Sequence, residues 1–138
     1  MKGDRIEYSE INWKYKLTKT YTISTPILGC NGANSYLYIG KDGSLTIYRG
    51  YAWNGANVIR DTEHNMRASL VHDSLYQLIG LGIVPPNYKK EADQVFYDIM
   101  LEDEENQVFA KICYEAVRKF GGSSCVPGSK DKKVFTAP

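Results

Sequence analysis

The feature that most restricts the fold is a change of hydrophobic period near the middle of the chain. Before it, apolar residues alternate. In residues 14–25, KYKLTKTYTIST, the side chains of Tyr15, Leu17, Tyr21 and Ile23 share one side of a strand. Lys14, Lys16, Thr18, Thr20 and Thr22 take the other. Pro26 and the cluster GCNGAN break the chain. The run SYLYIGKDGSLTIYRG then holds two β-rich segments around Lys41-Asp42-Gly43-Ser44, a hairpin signal. From residue 66 the period becomes helical. Residues 66–80, MRASLVHDSLYQLIG, read as an amphipathic helix stopped by Gly80 and Gly82. Beyond Pro85 and Pro86 a second helix is expected over 88–103, with Ala92, Val95, Phe96, Ile99 and Met100 as its apolar stripe. A third covers 104–120, acidic at its start and basic at its end as the macrodipole prefers, and Gly121-Gly122 end it. Strands first and helices after predict an α+β fold: a small antiparallel sheet, then three helices, the first two packed antiparallel.

A chain of 138 residues is the size of one domain. It divides into a β-rich part (1–50), a loop and helices (51–122) and an irregular tail (123–138). A net charge of +1 offers no field for nucleic acid, and no run of about 18 apolar residues could cross a bilayer. The opening MKGDRIEYSE lacks the apolar segment of a signal peptide, so a cytoplasmic location is expected. Cys30, Cys113 and Cys125 are widely spaced, which predicts reduced thiols and no zinc site. The eleven tyrosines, mostly in the first half, suggest a sheet face that could receive a partner chain.

Chemistry concentrates in the first helix, where His72 and Asp73 are adjacent. Neighbours on a helix point about 100° apart, so the two serve different partners. His72 shares a stripe with Ala68, Leu75, Tyr76 and Ile79. Asp93 adjoins the apolar stripe of the second helix, so antiparallel packing would set it against His72. An aspartate bonded to one imidazole nitrogen fixes the tautomer and leaves the other nitrogen as a base. Asp73 is then available for a cation. The loop GYAWNGAN, residues 50–57, has Gly55 at its centre and can turn carbonyls inward; calcium takes oxygen ligands of this kind with a carboxylate.

A glycine-bearing loop, then His72-Asp73-Ser74-Leu75-Tyr76, then Asp93-Gln94-Val95-Phe96 resembles the phospholipase A2 superfamily. The same elements resemble more closely a bacteriophage and prophage family, domain of unknown function 1353. Here they read Asn54-Gly55-Ala56-Asn57, HDSLY and Lys90-Glu91-Ala92-Asp93-Gln94-Val95-Phe96. The resemblance implies that His72 is a general base, Asp93 its orienting partner and Tyr76 a donor to that aspartate. It implies a calcium ion held by Asp73 and by carbonyls of Trp53, Gly55 and Asn57, with a phospholipid or another ester as substrate. It implies a phage-type protein, in the host cytoplasm or associated with the virion. The sequence departs from the phospholipase pattern at Leu75, where secreted enzymes carry a cysteine, and at Asn57, where a small residue is expected.

Two other readings fit the same residues. The polar groups can form a buried network that serves only packing, in a phage structural or host-interaction protein. Alternatively His64, His72, Asp73 and Asp93 follow the order of a metal phosphohydrolase, although those proteins are almost wholly helical.

Overall fold

The computed structural model describes residues 5–11, 14–55 and 61–121. The fold is α+β, with antiparallel sheets in the first half and three helices in the second. The strands are β1 (Tyr8–Ile11), β2 (Lys14–Leu17), β3 (Tyr21–Ser24), β4 (Gly32–Ala33), β5 (Leu37–Ile39), β6 (Ser44–Ile47) and β7 (Ala52–Trp53). They form two sheets rather than one, in the orders β1-β2-β7 and β3-β6-β5-β4.

The hairpin lies where the sequence places it. β5 and β6 pair Leu37 with Ile47 and Ile39 with Leu45, and β3 pairs Tyr21 with Ile47 and Ile23 with Leu45. These rows are buried and form the sheet side of the core. Asp42 Oδ1 accepts from the Ser44 amide at 3.0 Å, and Gly43 has φ +87°. A Cβ at Gly43 would strike the Thr25 carbonyl, so both backbone angle and space require glycine there.

The single strand expected over 14–25 is two. The chain bends at Thr18 and Lys19, so β2 joins the first sheet and β3 the second. Leu17 exchanges backbone bonds with Tyr51 and Gly50 at 2.8 Å, while β3 runs beside β6. Leu17, Tyr21 and Ile23 point inward as alternation predicts, whereas Tyr15 is half-buried. A bend of three residues preserves parity, which is why the pattern reads through it.

The helices are α1 (Met66–Gly80), α2 (Lys89–Glu102) and α3 (Gln107–Phe120), with a 3-10 turn over Pro86–Tyr88 ahead of α2. α1 is not amphipathic in its setting: every residue except Asp73 is buried. It lies at the centre, tied to the sheets by Trp53 Nε1 on Ser69 Oγ at 3.0 Å and by Arg67 Nη1 on the Tyr21 hydroxyl at 2.9 Å. On its other side it meets α2. Arg67, at the start of α1, pairs with Glu102 and Asp103 at the end of α2, while His72 and Tyr76 reach Asp93 near the start. The two helices are therefore antiparallel, as expected.

α3 starts three residues later than the sequence suggests. Glu104 has φ +63° and Asn106 caps the helix, its Oδ1 accepting from the Phe109 amide at 3.0 Å. One hydrophobic cluster joins sheets and helices, and Cys30 and Cys113 are buried within it. Cys125 lies outside the described residues. Among these residues no helix is long and apolar enough to cross a membrane.

Candidate functional site

α1 presents His72 and Tyr76 one turn apart, so both reach the same point on α2. That point is Asp93, whose exposure is 0 %. His72 Nε2 lies 2.7 Å from Asp93 Oδ1, and the Tyr76 hydroxyl donates to the same oxygen. The other oxygen, Oδ2, accepts from Lys89 Nζ at 2.9 Å and from Arg118 Nη1 at 2.8 Å. Lys89 is one turn before Asp93 on α2 and also donates to the Val117 carbonyl at 3.3 Å. Four donors from three helices thus meet one carboxylate.

The electrostatics follow. Burial alone raises the Asp93 carboxyl, but the bonds from His72 and Tyr76, with His72 and Lys89 nearby, outweigh it and hold the group well below the usual carboxylate range. An ionised carboxylate only accepts, so the proton between it and the imidazole belongs to Nε2. In the neutral ring Nδ1 then carries the lone pair. Among the described residues nothing hydrogen-bonds Nδ1, and the side chain keeps 11 % exposure. Tyr76 and Phe96 flank the ring, with centroids 4.0 and 4.7 Å away. A histidine with one nitrogen fixed, one open and its ring clamped can take a proton from a bound water.

The residues named for calcium are placed as follows. Asp73, half-buried, accepts from the Tyr51 hydroxyl at 2.9 Å through Oδ2. Tyr51 is fully buried, and burial followed by the Asp73 charge raises its hydroxyl well above the ordinary range. Trp53 is buried on β7 with its indole turned to Ser69. Gly55 has φ +81° and lies against Asp61, whose carboxylate accepts from Tyr15 at 2.8 Å. Asn57 falls outside the described residues. Asp73 is the one carboxylate in this donor set; among the described residues no group of three or more His, Cys, Asp or Glu could hold a metal ion. The donors fit a calcium site only as far as one carboxylate and a left-handed glycine turn.

His64 is held elsewhere. Its Nδ1 meets the Asp103 carbonyl at 2.7 Å, at the far end of α2 from Asp93. The order His64, His72, Asp73, Asp93 is thus not gathered into one centre.

Two partners of Asp93 escape the sequence reading. Lys89 is legible in principle, because i,i+4 acid–base pairs face one another on a helix. Arg118 is not, since it lies in the last turn of α3 where a basic residue already serves the helix dipole.

No curated protein matches the chain, and neither does any solved structure. Residues 34–117, from the hairpin through all of α1 and α2 and most of α3, match the family described as "Protein of unknown function (DUF1353)". That span exceeds half of the 138 residues, and the chain belongs to the DUF1353 family.

Proposed function

We propose that this chain is a phage-type protein with an ester-hydrolysing site of the phospholipase A2 kind. The observation that carries the reading is the His72–Asp93 contact of 2.7 Å, with Tyr76 on the same oxygen and Nδ1 left without a partner among the described residues. Nδ1 of His72 would take the proton of a water attacking an ester carbonyl, while Asp93 holds the ring and stabilises the charge it gains. Calcium, held by Asp73 and carbonyls of Trp53, Gly55 and Asn57, would supply positive charge to the developing oxyanion. A phospholipid is the substrate class that the resemblance favours.

The test is ester hydrolysis on mixed phospholipid micelles, with and without calcium, comparing the parent with His72→Gln. A water-activating histidine contributes typically about 10²–10⁴-fold, and that loss is the expected result. Glutamine keeps polarity and approximate size, so retained melting temperature separates lost chemistry from lost fold. Activity that survives His72→Gln, or a parent inert on esters, overturns the reading.

One observation favours a second reading. Four donors around a fully buried carboxylate are what a purely structural joint between three helices would need. With the exposed rings of Tyr8, Tyr38 and Tyr48, this supports a non-catalytic phage structural or host-interaction protein. It predicts no activity in any variant and a loss of stability in His72→Gln.

A further inference from the structure

The Asp93 network holds one more positive charge than the carboxylate requires. Lys89 and Arg118 both bond to Oδ2, so two like charges repel across the oxygen they share. One of them balances the carboxylate and the other is surplus. Neither is sealed from solvent: the Lys89 side chain is 19 % exposed and that of Arg118 35 %. A guanidinium offers five N–H donors in a planar fork. Of these, only Nη1 meets an acceptor among the described residues, leaving Nε and Nη2 to take another. Lys90, beside Lys89, is exposed, while Glu115 on α3 pairs with Lys111 at 3.5 Å.

We propose that Lys89 and Arg118 form a phosphate subsite at the rim of the Asp93 network. A phosphate oxyanion relieves the repulsion between the two cations and matches the open edge of the fork, which an isolated ammonium could not do as well. Asp93 does not oppose it, because the carboxylate is buried and already neutralised. The subsite deepens the hydrolase reading by giving its ester a phosphate handle. That part rests on the reading, whereas the binding itself does not.

The test titrates inorganic phosphate into the full chain at ionic strength held constant with chloride, by calorimetry and by melting temperature. Saturable binding with a rise in melting temperature is expected. Arg118→Gln and Lys89→Gln should each weaken it by roughly tenfold or more, the size of a lost charge-assisted hydrogen bond. Each variant leaves one cation on Asp93 and keeps the fold. Arg118→Lys, which keeps charge but loses the fork, should also weaken binding. No saturable binding, or binding unchanged in all three variants, overturns the proposal.

Vesicles of phosphatidylglycerol distinguish the sources. Retention that free phosphate displaces assigns the ligand to a lipid headgroup, and phosphate binding without retention assigns it to a soluble phosphoester; both support the subsite. Phosphate binding with no ester hydrolysis would leave the subsite standing and remove the enzyme. Hydrolysis without phosphate binding would do the reverse.

Discussion

At Asp93 the cost of burying a charge is offset by partners rather than avoided. The carboxylate has no exposure, and both of its oxygens are used. Asp93→Asn leaves Lys89 and Arg118 without their anion, and because both cations reach solvent it should lower stability by about 1–3 kcal/mol in urea unfolding, the usual cost of unmatched hydrogen-bonding groups. The same residue sets an acid dependence. Its carboxyl is held below the ordinary range in the folded protein, so the unfolded chain, with an aspartate pKa of about 4, binds the proton more readily. The contribution is complete above that value and fades as pH falls through it toward the folded value. Urea midpoints followed downward from about pH 4 should therefore drop more steeply in the parent than in Asp93→Asn. His72 and Asp93 were legible in the sequence because helical spacing fixes which face each occupies. Lys89 was legible from its i,i+4 spacing to Asp93 and went unread, whereas Arg118 was hidden because the helix dipole already accounts for a base in the last turn of α3.

At the scale of elements, the end of α3 closes against the Tyr76 side chain of α1. A Cβ on Gly121 would come within 2.6 Å of the Tyr76 hydroxyl and 2.7 Å of the Val117 carbonyl. Gly121→Ala should cost roughly 1–3 kcal/mol, typical of overpacking. The penalty should shrink in a Tyr76→Phe background, because the two positions share one space. β7, which leads into the loop of residues 54–57, meets α1 separately, through Trp53 and Ser69. If Asp73 and that loop hold calcium, millimolar calcium should raise the parent melting temperature, and Asp73→Asn should abolish the rise. A parent unmoved by calcium removes the metal from the proposal. The helices were predicted nearly in full, since their stripes are long. The strand over 14–25 was not, because alternation reports which way a side chain points and is blind to which sheet the strand joins. The late start of α3 was missed for a related reason: Glu104 is acidic, as a first helical turn prefers, yet its backbone is left-handed.

For the molecule as a whole, α1 is the member that both halves require. The sheets reach it through Trp53, Tyr21 and Tyr51, and α2 reaches it through His72, Tyr76 and Arg67. Such a shared core predicts one cooperative transition, with far-ultraviolet and near-ultraviolet circular dichroism melting together. Separated transitions would show that the sheets fold apart from the helices. Arg67→Met tests the same coupling: it strands Glu102 and Asp103 without their cation and removes a donor to Tyr21, and should lower both signals equally. The α+β order was plain from the change of period. The second sheet boundary was hidden, because it depends on pairings far apart in the chain.

The distribution of donors around Asp93 also has a meaning in time. His72, Tyr76 and Lys89 all precede the aspartate in the chain, whereas Arg118 follows it by twenty-five residues. As the chain leaves the ribosome amino terminus first, α1 and α2 can meet before α3 is free to join them, but the carboxylate then lacks its last donor and the cover that α3 gives it. A chain cut after residue 102 would hold a helix pair whose central charge is still open to water. Completion of the site is in this sense a signal that the third helix has been made and has docked.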